Sequence, residues 1–290
     1  MQPFPAGRAG AVLLVLAAAG STQFGAAVAA LLFPRVGPLG VVTLRLALSA
    51  AILLVLFRPR LSGRSAADWR LVAAFGLALG GMNTAFYAAI DRIPLGAAVT
   101  LELLGPLALS VVAARRWTSL VWAGLALTGV VLLGGGDVRV LDPLGVLFAL
   151  VAAALWAAYI VLSARVGRRF ARADGLALAM AVAAALSLPF GLAHAGGALL
   201  APGTLAAGAA VAVLSSALPY SLEMAALRRL PAATFAVMMS LAPAIAALAG
   251  FLVLDQALGP VQLAAIALVA LASAGAVRAA GPRGADAAPP

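Results

Sequence analysis

Three formal charges fall inside runs that are otherwise apolar. Glu102 sits in LGAAVTLELLGPLALSVVAA, Glu223 in VAVLSSALPYSLEMAAL and Arg45 in VVTLRLALSA. A charge at the centre of a bilayer costs at least about 2.5–3.5 kcal/mol, so it needs a partner, a water-filled cavity or a task. Arg45 lies about six residues, and Glu102 about seven, from the same-side ends of their runs, which at 1.5 Å per residue puts both roughly 10 Å deep. Two readings fit that shared depth. One is a structural ion pair that locks two helices. The other is a site in which Glu102 takes an ammonium group or a coupling proton and Arg45 takes a carboxylate; a free amino acid presents both charges. Glu223 lies nearer the opposite end of its run, beside Arg228 and Arg229. There it either reaches headgroups or an arginine, or contacts a substrate or proton.

Weaker polar signals surround these three. Asn83 and Tyr87 are four apart and share a helix face, where they either bind a ligand or tie helices together. Tyr220, Ser215 and Ser216 share the run of Glu223, and Pro219 within it frees a backbone carbonyl and marks a kink. Pro106 and Pro243 are further candidate breaks. Ser21, Thr22 and Gln23 form a polar island in the first run, and Trp156 with Tyr159 occupies the corresponding place in the second half. Both groups suit a cavity lining; packing and back-bonding to the helix are the plainer alternatives. Gly76 and Gly80 have the G-x-x-x-G spacing of close helix contact. The single histidine, His194, reads as a loop residue. Residues 134–136, three glycines, lack the lysine and hydroxyl of a nucleotide loop. No ATP site, metal-ligand cluster, cofactor motif or nucleophile–base set is legible, so neither a metal nor a cofactor is expected and the chain does not read as an enzyme.

The elements that carry these residues follow from composition. Of 290 residues 65% are hydrophobic and 10% charged, against roughly 25% charged in a soluble domain. The charges are confined to short clusters between apolar runs, and the strict alternation of an outer-membrane barrel is missing. This predicts an all-α membrane protein embedded in a lipid bilayer. Cutting at charges, prolines and glycines predicts ten spans of nearly 20 residues: 9–33, 39–57, 69–90, 95–114, 119–134, 144–164, 176–193, 205–227, 232–253 and 261–280. The first run begins like a signal peptide but continues to Phe33, about twice the length of a signal core, and reads as a retained helix. The net charge of +10 comes from 19 arginines. Fifteen fall on one side of the ten-span scheme and three, Arg35, Arg92 and Arg139, on the other. That is the positive-inside pattern, with both termini cytoplasmic. One contiguous basic face would be needed for nucleic acid, which is not expected as a partner. The Gly-, Ala- and Pro-rich segment 281–290 is expected to be a disordered tail.

The chain also aligns with itself at an offset of about 137 residues. IDRIPLGAAVTLELLGPLALSVVA lies over LRRLPAATFAVMMSLAPAIAALAG, with Pro94 on Pro231 and Pro106 on Pro243. Five spans per half is an odd number, so tandem halves have opposite orientations. The expected architecture is two inverted five-helix repeats, 9–134 and 144–280, with a substrate site at their interface. Glu102 falls on Met239, so the carboxylate belongs to one half only.

Several stretches carry a family likeness. GGMNTAFYAAIDRIPLGAAVTLELLGPLAL (80–109), SSALPYSLEMAALRRLP (215–231) and FPRVGPLGVVTLRLAL (33–48) resemble the threonine/homoserine exporter branch of the drug/metabolite transporter superfamily, whose members carry two EamA-type repeats. The likeness runs from Ala17 to Ala276. It implies a ten-helix inner-membrane secondary transporter that exports small amino acids such as threonine or homoserine by exchange with protons. A multidrug or other metabolite exporter of the same fold is the alternative, and a non-transporting membrane scaffold a further one. Neither the likeness nor the residues distinguish a monomer from a homodimer.

Overall fold

A computed structural model describes residues 8–114, 117–133, 141–170, 173–227 and 238–280. Expectations that rest on Arg115, Arg116, Asp137, Arg139, Arg172, Arg228, Arg229, Pro231, residues 134–136 and the tail lie outside them. Every regular element among the described residues is helical: α1 (Arg8–Ala30), α2 (Phe33–Phe57), α3 (Ala66–Ile90), α4 (Leu95–Glu102), α5 (Leu104–Ala114), α6 (Trp117–Leu133), α7 (Pro143–Arg169), α8 (Asp174–Ala195), α9 (Pro202–Ala212), α10 (Leu218–Leu227), α11 (Ala242–Leu254) and α12 (Pro260–Ala280). A 3₁₀ turn, Gly196–Leu200, follows α8, and a π-helical turn, Val213–Ala217, joins α9 to α10. Gly10–Ala30, Phe33–Phe57, Ala66–Ile90, Pro143–Arg169 and Asp174–Leu200 are each long and apolar enough to cross a membrane. Exposed Leu77, Leu186, Phe190 and Leu192 sit on helices whose other faces are buried, as lipid contact requires.

Local chemistry sets the boundaries. At the start of α3 the Ser65 Oγ accepts from Asp68 N at 3.2 Å while Asp68 Oδ2 accepts from Ser65 N at 3.0 Å, a capping box. Asp142 caps α7 by accepting from Leu144 N at 2.8 Å, and its other oxygen takes Arg92 Nη1 at 3.2 Å. The Leu144 amide first, and then Arg92, hold the Asp142 carboxyl below the ordinary carboxylate range. α2 ends where Arg58 turns left-handed, φ 45°, before Pro59.

The spans differ from expectation where glycine or proline alters the backbone. The second, expected from 39, starts at Phe33, because Gly37 (φ 65°, ψ 167°) kinks the chain and Pro38 restarts the helix. A side chain at Gly37 would be strained and would also strike the His194 imidazole. His194, expected in a loop, is an exposed residue in the last turn of α8. The fourth span divides at Leu103 into α4 and α5, since Pro106 lacks the N–H that would bond the Glu102 carbonyl. α11 begins with Pro243 in its first turn. The first span stops at Ala30, three residues early, whereas the sixth continues to Arg169, five residues late.

Helix contacts determine what meets at the centre. α2 packs on α8, α4 on α11 and α6 on α12; α3 packs on both α7 and α8; α1 packs on α10 and α11; α2 also touches α9, and α4 and α5 touch α7. The core runs through buried Leu46, Leu79, Tyr87, Leu95 and Leu101. At the Arg-rich end Arg64 pairs with Asp174 (3.6 Å) and Arg169 with Asp68 (3.3 Å); at the other end Arg92 pairs with Asp142 (3.2 Å).

Close helix approach depends on glycine. A Cβ on Gly76 would lie 2.7 Å from the Ala179 carbonyl oxygen and 2.7 Å from Val182 Cβ, and one on Gly80 would lie 3.2 Å from Ala183 Cβ. Both glycines thus seat α3 on α8. Gly76→Val is expected to destabilise the detergent-solubilised protein by about 1–3 kcal/mol, an overpacking cost. Leu77→Val, on the exposed face, is the control. Equal melting temperatures for the two variants would show that this contact is not tight.

Candidate functional site

The bundle brings the polar residues of α1, α2, α3 and the α9–α10 junction into one layer. Its centre is Arg45 on α2. Arg45 Nη1 donates to Tyr87 Oη on α3 at 3.2 Å, and Nη2 donates to the Ser215 carbonyl oxygen at 3.2 Å. The guanidinium carbon also lies 5.5 Å from the Tyr87 ring centroid, within cation–π range. Tyr87 is fully buried, with Phe33 and Phe86 each 6.0 Å away ring to ring. One turn along α2, Ser49 Oγ donates to Ser216 Oγ at 2.9 Å. On α1, Ser21 Oγ donates to the Leu214 carbonyl oxygen at 2.6 Å, and Gly25 allows the Ser215 hydroxyl to approach the helix closely.

The local backbone explains these cross-helix bonds. Leu218 N bonds the Val213 carbonyl five residues back rather than Leu214, and residue 219 is a proline with no N–H. Leu214 and Ser215 therefore lose their ordinary i+4 donors, and side chains from α1 and α2 replace them. Single π-turns inside helices cluster at functional sites.

Glu102 is the last residue of α4 and is half-buried. Arg45 acts on it electrostatically, yet the described ion pairs join other residues, and no described group hydrogen-bonds its carboxylate. The locked ion pair that equal depth allowed is therefore not what the helices form: Arg45 is held by Tyr87 and a backbone carbonyl. Glu223 is half-buried on α10. At 1.5 Å per residue it lies about 12 Å along the helix from Ser215.

The remaining candidates are placed unevenly. Asn83 is buried on the Tyr87 face of α3, and its Nδ2 donates to the Leu79 carbonyl at 2.8 Å, back into its own helix. Gln23 is buried on α1, and Thr22 bonds back to Ala18 at 3.1 Å. Trp156 is half-buried on α7. Tyr159 stacks on Phe75 at 5.2 Å, within an apolar cluster with Val72, Val166 and Phe170. Tyr220 lies on α10, and its side chain is outside the described residues. Pro106, Pro219 and Pro243 lie at or beside the α4–α5 break, the π-turn and the start of α11. Sequence reasoning missed Ser49; its i+4 spacing from Arg45 was the signal available. It also missed that the Arg45 acceptor is main chain, for which residue type gives no signal.

What the layer can do chemically follows from its donors and acceptors. The planar guanidinium has five N–H donors in a fixed fork, and two are directed at neutral acceptors that a carboxylate outcompetes. Glu102, whose carboxylate no described group hydrogen-bonds, stands within electrostatic reach of it.

Comparison with known proteins places these residues in context. Residues 143–278 match the model of the EamA-like transporter family. The threonine/homoserine exporter RhtA of Escherichia coli (strain K12) is 45% identical over 268 residues, covering 91% of this chain and 90% of that protein. RhtA of Salmonella typhimurium (strain SL1344) matches at the same identity and coverage. One crystal structure superposes with a TM-score of 0.58 at 21% identity, over 93% of this chain and 98% of that one, and shows a shared fold.

Proposed function

Because the chain belongs to the threonine/homoserine exporter branch of the drug/metabolite transporter superfamily, we propose that it exports threonine, homoserine and similar small amino acids across the inner membrane. The observation that carries the reading into chemistry is Arg45. It is a guanidinium inside the bundle, bonded to neutral acceptors, with a carboxylate nearby that it does not directly pair. In this reading Arg45 holds the substrate carboxylate, and Glu102 holds its ammonium group or the proton exchanged for it. Glu223, nearer the Arg-rich end, is the second proton candidate. Tyr87 orients Arg45 from α3; Asn83, Gln23, Trp156 and Tyr220 are the further candidates, while Tyr159 packs against Phe75.

The architecture proposed with it is ten spans in two inverted repeats, 9–134 and 144–280, with both termini cytoplasmic. Helix packing supports the inversion. If α1, α2, α3, α4–α5 and α6 correspond to α7, α8, α9–α10, α11 and α12, the α2–α8, α4–α11 and α6–α12 contacts map onto themselves. The α3–α7 contact maps onto α1–α10, and α3–α8 onto α2–α9. The ion pairs at each end join span ends and loops that the arginine count assigns to one side. Alternating access then moves one repeat against the other around the Arg45 layer.

The test is expression in cells lacking their own threonine and homoserine exporters. Raised tolerance of both amino acids and faster appearance of each in the medium are expected. Cells no more tolerant than the empty-vector control, with the protein present in the membrane, would overturn the assignment.

A further inference from the structure

The proline in the eighth predicted span has a more specific task than a bend. In a continuous α-helix the N–H of residue 219 would bond the Ser215 carbonyl; Pro219 has none. That carbonyl is the atom that accepts from Arg45 Nη2 at 3.2 Å. The π-turn just before it isolates Leu214 in the same way, and Ser21 takes up that second carbonyl at 2.6 Å. A buried carbonyl without a donor is costly, so the helix requires a donor from outside itself, and on this side the guanidinium supplies it.

We propose that Pro219 is a positioning residue for substrate recognition: by denying Ser215 its helical donor, it supplies the anchor that sets the Arg45 guanidinium for the substrate carboxylate. The inference rests on the assignment of Arg45 as the carboxylate-binding group. Two fixed points, Tyr87 Oη on one nitrogen and Ser215 O on the other, hold the plane of the fork. A pre-oriented fork meets a carboxylate in a bidentate manner without first paying the entropy of ordering a long side chain. One anchor comes from α3 and the other from the α9–α10 junction, so the orientation of Arg45 depends on how the two halves of the chain sit together. With an N–H restored at 219, the Ser215 carbonyl closes onto its own helix and the guanidinium loses one anchor.

Pro219→Ala restores that N–H and favours helix. The readout is the ratio of Kd values for threonine and threoninamide, obtained from ligand-induced thermal stabilisation of the purified protein. The amide keeps the ammonium, hydroxyl and shape but has no carboxylate. Pro219→Ala is expected to weaken threonine about tenfold and to leave threoninamide unchanged. In an Arg45→Gln background the same substitution is expected to leave the ratio as it is. Equal weakening of both ligands would make Pro219 a structural hinge only and overturn the inference. So would a wild-type ratio in Pro219→Ala when Arg45→Gln has lost its preference; the Arg45 assignment would then stand alone. A preference retained in Arg45→Gln would overturn that assignment and this inference together. Pro219→Gly supplies the same amide on a more pliable backbone and takes the place of the alanine variant if that one does not insert.

Discussion

Replacing Glu102 with glutamine is expected to reduce export driven by a proton gradient to background while the protein still inserts and folds. Glutamine matches glutamate in size, so helix packing at the end of α4 is retained and only the exchangeable charge is lost. An ionised carboxylate at that depth must be solvated, paired or neutralised. In the structure it is half-buried, Arg45 acts on it only through space, and no described group hydrogen-bonds it. The proposed function gives the neutralising role to a proton or a substrate ammonium. Proteoliposomes with an imposed pH gradient measure the coupled flux, and counterflow at uniform pH measures exchange without it. Loss of the first with retention of the second assigns Glu102 to proton coupling; loss of both assigns it to the ammonium group. Unchanged export would remove Glu102 from the mechanism, and Glu223 would become the candidate to substitute next.

Arg45→Ala is expected to raise the KM for threonine and homoserine by at least a hundredfold. Leaving one member of a buried charge pair without its partner costs about 3–5 kcal/mol, and each 1.4 kcal/mol is roughly tenfold in affinity. Arg45→Lys keeps the charge but offers a compact ammonium in place of the planar fork, so it should recover only part of the loss. The substitution also separates the amino-acid exporter from a multidrug exporter of the same fold. An apolar cation is held by aromatic faces and one carboxylate and has no need of a guanidinium inside the bundle. Export of a lipophilic cation that survives Arg45→Ala, with no threonine flux in the parent protein, would favour that other reading. A protein that carries no solute before or after substitution would be a scaffold.

The polar layer shows how far residue types can be read. Arg45 and Glu102 were visible as charges in apolar runs, at matching depth, because depth follows from counting 1.5 Å per residue along each helix. Tyr87 and Asn83 were visible as one face of α3 through their i+4 spacing. Which atoms those side chains would meet was not visible. Arg45 meets Ser215, 170 positions away, through a main-chain oxygen that every residue possesses. Asn83 spends its amide donor on its own helix. Tyr159 lies in a packing cluster with Phe75. His194 sits over Gly37 at a kink that a reading of apolar periodicity passes over.

The sequence by itself determined that this is a helical membrane protein, because 65% hydrophobic residues with charges confined to short clusters call for spans that satisfy their own backbone. Without the alternation of a barrel, those spans are helices. It also marked where a helix lacks a backbone donor, because proline has no N–H, as at 106, 219 and 243, although α8 continues through Pro189. Only the tertiary structure decided what takes up the broken bonds. A lone carbonyl is satisfied by whichever donor the packing brings within 3 Å or so, and that depends on which helix faces meet. At Pro219 the donor was the arginine at the centre of the site, a pairing set by the meeting of α2 with the α9–α10 junction and by nothing local to either segment.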